Sequence, residues 1–336
     1  MLNNRTCSII LVTLLLITSC STRTKREYRQ IRGFAQGTTF NIQYYHPQNR
    51  DLSDPIGQIL ERIDSSMSVY RDNSIINAFN ASQEGIEVDS LLAQVVEQSL
   101  QYHRQTNGAF DITVGPLVKA WGFYARQNQV PSDDTIAHLM GFIGDGMIAL
   151  DGLFLGKKHA EVKIDVNAIA PGFTVDRIAA YFEKIGIKDY LVEVGGELRS
   201  LGNSPRGTPW RVGIDRPDDH AVSGENLQAI IEISGQSLVT SGNYRKFFMK
   251  DGVRYSHTID PTTGRPVEHS LLSATVLDST AARADALATA FMVMGKDKAI
   301  QWLQSNPGVE VYLIYSDEKG NYQVWMSEGI KKRIVD

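Results

Sequence analysis

The stretch LVTSGNYRKFFMKDGVRYSHTIDPTTGRP, residues 238–266, is denser in polar groups than an amphipathic strand or helix requires. Thr240, Ser241, Asn243, Tyr244, Tyr255, His257, Asp260, Thr262 and Thr263 crowd around turn-forming Gly and Pro instead of spacing out beside a buried stripe. It reads as a strand entering through Leu238 and Val239, a Ser-Gly-Asn turn, a loop at 250–252, and a second strand over 253–259 that ends on Ile259. The Asp-Pro-Thr-Thr-Gly segment then forms a tight turn, because Pro fixes φ and Gly tolerates positive φ. Each residue alone fits a hairpin with polar ends. The cluster marks a site.

Toward the C-terminus, residues 280–294 read as a helix in which Ala281, Ala282, Ala284, Ala286, Leu287, Ala288, Ala290, Phe291, Val293 and Met294 leave almost no polar face. Such a helix is buried. Asp285 sits in its middle, and an isolated buried carboxylate is costly, so it needs Arg283, backbone donors or a cation. Thr289, four residues on, brings a hydroxyl onto the same face one turn along. Two oxygens at this spacing suit a hard cation such as Mg²⁺, completed by carbonyl, phosphate and water oxygens. An Asp paired with Arg, or capping a neighbouring strand, fits the spacing equally.

Toward the N-terminus, residues 31–45 alternate loosely as a strand carrying Gly37-Thr38-Thr39-Phe40, and residues 55–67 show helical spacing with Pro55 in the first turn. A short helix over 74–79 and a longer one over 90–102, capped by Ser90, follow. Ala109-Phe110-Asp111-Ile112-Thr113 leads through Gly115-Pro116 to Trp121-Gly122-Phe123. Aromatics there are more often core, although one beside an Asp can hold a planar heterocycle. Residues 131–141 read as a helix; Gly141, Gly144 and Gly146 miss the GxGxxG spacing and no GxxxxGK[ST] occurs, so a standard nucleotide loop is unsupported. Residues 162–166 read as a strand turning through Asn167 into a helix with Pro171 near its start and a stripe of Val175, Ile178, Phe182 and Ile185. The helix start after Asp165 would offer N–H groups and a positive dipole end to a phosphate. A strand over 191–194 ends at Gly195-Gly196-Glu197, where backbone could approach a ligand closely. Further strands are expected over 210–214, 227–233, 272–277, 309–315 and 322–326.

At the extreme N-terminus Arg5 precedes an uncharged apolar run, 8–18, too short to span a bilayer and suited to a secretory signal. It ends Leu16-Ile17-Thr18-Ser19-Cys20, which resembles a bacterial lipobox. The expected plan is a signal over 1–19, a tether over 20–30 after a lipidated Cys20, and one domain over 31–336. The body would be lipid-anchored to a membrane of the cell envelope on the extracytoplasmic side, the periplasmic face in a Gram-negative host. Cys7 leaves with the signal and Cys20 carries lipid, so no disulfide and no thiolate metal site is expected. With 336 residues, 42% hydrophobic and 21% charged, the chain can bury a substantial core. A formal charge of −4 lacks the basic excess that tracks nucleic-acid phosphates, so no nucleic-acid partner is expected.

Along nearly the whole mature chain the sequence resembles the bacterial FAD:protein FMN transferases of ApbE type. The resemblance is carried, in order, by Gly37-Thr38-Thr39-Phe40, Met67-Ser68-Val69-Tyr70, Ala109-Phe110-Asp111-Ile112-Thr113, Trp121-Gly122-Phe123, residues 165–176, Gly195-Gly196-Glu197, Thr240-Ser241-Gly242-Asn243-Tyr244, residues 257–264 and Ala284-Asp285-Ala286-Leu287-Ala288-Thr289. It implies an α+β fold, a compact body of mixed sheets with flanking helices, open to division into two lobes with the active site between them. It also implies a catalyst that binds FAD and Mg²⁺, splits the dinucleotide, attaches FMN through its phosphate to a Thr or Ser hydroxyl of a target protein, and releases AMP.

By the same resemblance Gln36, Tyr70, Ala109, Phe110, Asp111, Asp165, Pro171, Thr240, Ser241, His257 and Ile259 would line the FAD site, and Asp285, Thr289 and the Ala168 carbonyl would hold the metal. His257 and Asp285 would be catalytic, His257 as proton acceptor for the target hydroxyl. The chain departs from the family twice: Pro171 stands where a Lys is common, and Gln36 where a Met is common. Targets would be flavin-carrying subunits of respiratory electron-transfer complexes, Nqr- or Rnf-like, presenting a motif resembling Asp-x-x-[Ser/Thr]-[Gly/Ala]-Ala-Thr. An FAD pyrophosphatase using the same metal, and a lipoprotein that binds FAD without chemistry, are the alternatives.

Overall fold

The structure, a computed structural model, describes residues 26–123, 129–218, 224–244 and 247–335; the expected signal, Cys20 and the tether as far as residue 25 lie outside the described residues. Where one strand was expected over 31–45 there is a hairpin of β1 (Tyr28–Ala35) and β2 (Thr38–Tyr45). Its two-residue turn places Gln36 at φ 55° and Gly37 at φ 73°, the double positive φ that a right-twisted hairpin requires. Gln in that region is strained, and its neighbours hold it: the Asp64 carboxylate accepts its N–H, and the Thr174 hydroxyl donates to its Oε1 at 3.1 Å. β1 also starts inside the expected tether, at Tyr28.

A block of helices is inserted after β2. α1 (Ser53–Met67) buries Ile56, Leu60, Ile63 and Met67, and α2 (Ile75–Ala81) is capped by Ser74, whose side chain accepts from Asn77 N. After β3 (Gly85–Glu87), α3 (Ser90–Gln105) is capped by Asp89 accepting from Leu92 N, so the cap lies one residue before the expected Ser90. α4 (Gly115–Ala120), α5 (Asp133–Met140), β4 (Ile148–Asp151) and β5 (Phe154–Lys157) follow. β3, β5 and β4 form a small antiparallel sheet. Strands of three and four residues are too short to show a period.

Residues 162–166 do not join a sheet. The alternation that suggested a strand is real, with Val162, Ile164 and Val166 buried, but the backbone bonds to side chains and to Ile112 instead of a ladder. α6 (Ala170–Lys184) buries Val175, Ile178 and Phe182; the expected Ile185 is its C-cap and is exposed, while Ile187 is buried.

The rest is mostly antiparallel sheet: β6 (Tyr190–Val194), β7 (Glu197–Leu201), β8 (Trp210–Asp215), β9 (Leu227–Ile233) and β10 (Gln236–Gly242). Gly195 and Gly196 are thus the turn of a β6–β7 hairpin, at φ 71° and 110°. The opening stretch divides more finely than its pattern suggested. Thr240 and Ser241 lie within β10, β11 (Phe247–Lys250) and β12 (Val253–Ser256) form a hairpin, and β13 (Ile259–Asp260) pairs with β14 (Arg265–Pro266). The strand expected over 253–259 therefore breaks around His257. β15 (Leu271–Asp278), α7 (Ala281–Ser305), β16 (Glu310–Ser316), β17 (Tyr322–Met326), α8 (Glu328–Lys331) and β18 (Ile334–Val335) complete the chain.

The main sheet runs β1-β2-β6-β7-β10-β15-β16-β17, with a smaller sheet β18-β9-β8 beside it. The expected α+β body of sheets with flanking helices is what the structure has; among the described residues every strand pairing is antiparallel, and neighbouring strands mostly follow one another in sequence and need no parallel crossover. The part of α7 before Gly295, where the backbone leaves the helical conformation, is apolar nearly all round because it serves two cores. Ala281, Ala284, Leu287, Ala288 and Phe291 face the main sheet, while Ala282, Ala286 and Ala290 face the core of α2, α3 and the small sheet. The shared helix joins the two parts of the body, and Asp285 sits in it.

Candidate active site

α6 and α7 meet at their first turns. The Gly172 N–H donates to Asp285 Oδ2 at 3.1 Å, and a Cβ on Gly172 would stand 2.4 Å from the Ala281 carbonyl oxygen, so only glycine permits the approach. One turn along α6, Asp176 accepts from the N–H groups of Ala281 at 3.0 Å and Ala282 at 2.9 Å, capping α7 from its neighbour, and pairs with Arg199 at 2.8 Å. Asp285 is 4% exposed. Burial first, then the Glu197 charge, hold its carboxyl well above the usual range; the Gly172 N–H opposes them and Asp176 adds to them. Arg283 is not its partner, since it pairs with Asp278 at 2.8 Å.

Thr289, one turn along α7, places Oγ1 3.3 Å from Ser241 Oγ on β10. Thr240 does not join them. Successive strand residues face opposite ways, and Thr240 bonds to Thr275 at 2.8 Å on the face it shares with Leu238, away from α7. Of the two hydroxyls expected at one site, only Ser241 reaches it.

The expected phosphate seat at the start of α6 is also corrected. Ala170 N donates to Val166 O, Pro171 has no N–H, Gly172 N serves Asp285, and Phe173 N donates to Ile169 O. Gly195 N and Gly196 N are likewise taken, by Thr39 O and Glu193 Oε1. The first-turn donors are consumed inside the protein. What remains among the described side chains at this pole is oxygen, the Asp285 carboxylate and the Thr289 and Ser241 hydroxyls, and the Ala168 carbonyl lies in the turn that leads into α6. Such a set fits a hard divalent cation, which would relieve a carboxylate that burial disfavours in its ionised form. Among the described residues no group of three or more His, Cys, Asp or Glu side chains could hold a metal, so hydroxyl, carbonyl and substrate oxygens would complete the shell.

A second group gathers around Asp165. Tyr70 is 70% exposed, yet its hydroxyl bonds to the Asn167 side chain and feels the Asp165 charge; burial of that end, then Asp165, raise its pKa. Its ring offers a flat face beside a carboxylate, suited to a planar heterocycle. Asp165 Oδ1 accepts from Asn167 N at 2.8 Å, and Asp165 backs onto Gly115. Gln36 stands near the start of α6 through its bond with Thr174, which also donates to Ala170 O.

Phe110 and Asp111 are both buried. The Phe110 ring is fully buried against Tyr102 and can offer a ligand only backbone. Asp111 accepts from Thr113 N at 2.7 Å and Thr113 Oγ1 at 2.6 Å and lies 3.3 Å from His103, so it locks the loop that follows the half-buried Ala109. Neither presents its side chain to solvent.

The third group is aromatic. His257 is half-buried and edge-on to Phe123, at 6.5 Å between ring centroids; Phe123 packs on Phe248, and Phe248 stacks on Tyr255. Ile259 is buried in this cluster with Leu117 and Trp121, so it supports the site without facing a ligand. Trp121 Nε1 donates to Gly264 O at 2.9 Å, tying the 260–264 turn to the end of α4. α4 thereby links the groups: Gly115 at its start abuts Asp165, and Trp121 just past its end anchors the His257 segment. Sequence reasoning reached Asp176 only as the end of the 165–176 motif and gave it no role, because its partners, the Ala281 and Ala282 N–H groups, lie far along the chain and leave no local pattern.

Comparison with known proteins places the chain in a family. Residues 36–313 match the ApbE family. The chain is 37% identical over 318 residues to a FAD:protein FMN transferase of Vibrio cholerae, spanning 92% of this chain and 94% of that one. It is 38% identical over 305 residues to the FAD:protein FMN transferase of Escherichia coli, spanning 86% and 83%. The solved flavin transferase ApbE from Vibrio cholerae superposes with a TM-score of 0.82 at 36% identity, over 92% of this chain and 99% of that one. The ApbE protein of Thermotoga maritima superposes at 0.80 and 31% identity, over 92% and 100%.

Proposed function

The chain belongs to the ApbE family, and on that footing we propose that it is a transferase that moves FMN from FAD onto a target protein. The observation that carries the reading is Asp285, a carboxylate buried where two helix starts meet, next to a pair of hydroxyls. Asp285, Thr289 and the Ala168 carbonyl would hold Mg²⁺, which neutralises charge gathering on the pyrophosphate when bound. Tyr70 offers its ring to a flavin or adenine plane, beside Asp165. His257 takes the proton from a Thr or Ser hydroxyl of the target as that oxygen bonds to the FMN phosphorus, and the phosphorus–oxygen bond to AMP breaks. The product is a protein phosphoester of FMN, with AMP released. With the α6 N–H groups occupied, pyrophosphate recognition falls to the cation and to hydroxyls.

The lipobox-like segment supports a body anchored through Cys20 to an envelope membrane on its extracytoplasmic side. Flavin-carrying subunits of Nqr- or Rnf-like complexes are the acceptors in this reading. Hydrolysis of FAD to FMN and AMP is the second reading, favoured by Pro171, which removes a cationic side chain from the helix start.

Asp285→Asn tests the assignment, because it keeps an acceptor for Gly172 N–H and removes the charge. Magnesium-dependent AMP release from FAD should fall by roughly a hundredfold to a thousandfold. Full magnesium-dependent activity in the variant would remove Asp285 from the metal site, and no AMP from the wild type would favour a flavin-binding lipoprotein.

A further inference from the structure

The segment 162–166 carries Asp165 into the site and has the inward–outward alternation of a strand, but no partner strand. Two side chains hold it instead. Lys157, the last residue of β5, donates through Nζ to the carbonyls of Val162 and Ala160 at 3.1 Å each and of Asn80 at 3.4 Å. Asn80, on α2, grips Ile164 from both sides: Nδ2 donates to Ile164 O at 3.0 Å, and Oδ1 accepts from Ile164 N at 2.8 Å. Asp165 N then donates to Ile112 O at 2.7 Å.

Lys157 is an unusual way to fill this space. It is 9% exposed, stands 5.1 Å over the Phe79 ring, and its three N–H bonds all go to backbone carbonyls. Burying an ammonium is costly, and an apolar stem of the same length would pack as well. What the ammonium adds is geometric. Three carbonyls converge on one atom, which fixes residues 160–162, while the Asn80 pair fixes 164. The next residues are Asp165, then Asn167 against Tyr70, then Ala168 at the entry to α6.

From this we infer that Lys157 and Asn80 are positioning residues of the active site, replacing a β-ladder with side-chain bonds and setting where Asp165 and the 167–169 turn stand. The inference rests on the flavin-transfer reading for its kinetic consequence, but not for its structural one.

The test compares the full chain carrying Lys157→Met, which keeps the stem and loses the donors, with Lys157→Arg, which restores donors, and with Asn80→Ala. Amide exchange is followed across residues 162–169 and across β15, alongside Tm and the steady-state constants for FAD and for the acceptor protein. Lys157→Met should speed exchange over 162–169 and leave β15 protected. The kcat/KM for FAD should fall by roughly a hundredfold, as misplacement of a binding group by about 1 Å can do, with the acceptor KM unchanged. Asn80→Ala should shift the same quantities, and Lys157→Arg should recover most of the loss. Should Lys157→Met fail to fold, Asn80→Ala carries the same readouts. Unchanged exchange over 162–169, a rise spread evenly over the chain, or an acceptor KM that moves with that for FAD would overturn the inference. Exchange is read without flavin chemistry, so an inactive wild type would count against the transfer reading and leave this one to be decided by exchange.

Discussion

His103 stands between two carboxylates, with Nδ1 3.3 Å from Asp111 and Nε2 3.6 Å from Asp145. Hydrogen bonding to Asp111 raises its pKa, burial opposes, and the Asp111 and Asp145 charges raise it further. The imidazolium is therefore favoured in the folded state, and its contribution to stability is full below the unfolded value of about 6.5 and disappears as pH rises through the folded value. His103→Gln should lower Tm at about pH 5.5 and close the gap with the wild type by about pH 9; an equal loss at both would contradict the assignment. Asp111 and Asp285 were both legible as chemistry, since each is a carboxylate amid apolar neighbours. Their partners were not. Thr113, two residues from Asp111, bonds to it locally, but Gly172 and His103 meet these carboxylates only after the chain has folded, and Arg283, the nearest candidate in sequence to Asp285, turns to Asp278.

The contact between α6 and α7 belongs to the scale of elements, and Gly172 controls it. A methyl there would meet Ala281 O, Ala281 C and Ala282 N at 2.4, 2.6 and 2.8 Å, all backbone, so the helices must part. Gly172→Ala should destabilise by about 1–3 kcal/mol in urea unfolding and loosen the Asp285 pole with it; a change under about 0.5 kcal/mol would mean the helices separate freely. The long helices were readable because their apolar stripes are long. The hairpins were not, because a strand period says nothing about where a chain reverses: 31–45 hid a turn at Gln36 and Gly37, and 253–259 hid a break around His257. Residues 162–166 failed differently, since their alternation is correct and only the bonding partners are unusual.

For the whole molecule, the antiparallel body and the shared α7 explain how elements carrying motifs scattered from Gln36 to Thr289 come together in one body. The membrane address proposed from the lipobox-like segment would rest on Cys20. Cys20→Ser should abolish incorporation of labelled fatty acid and move the protein from the membrane to the soluble fraction, leaving FAD turnover by the folded part unchanged; retention at the membrane without label would refute the anchor. The motif order made the family readable at this scale, while the distribution of strands among the sheets was invisible in any local window. The central claim, transfer rather than hydrolysis, is tested most directly by incubating the form that starts after Cys20 with FAD, Mg²⁺ and a protein bearing the acceptor motif, and following AMP and acceptor mass together. The account predicts that each acceptor gains the mass of one FMN as one AMP appears. AMP and free FMN formed at the same rate with or without acceptor, and no gain in acceptor mass, would contradict it.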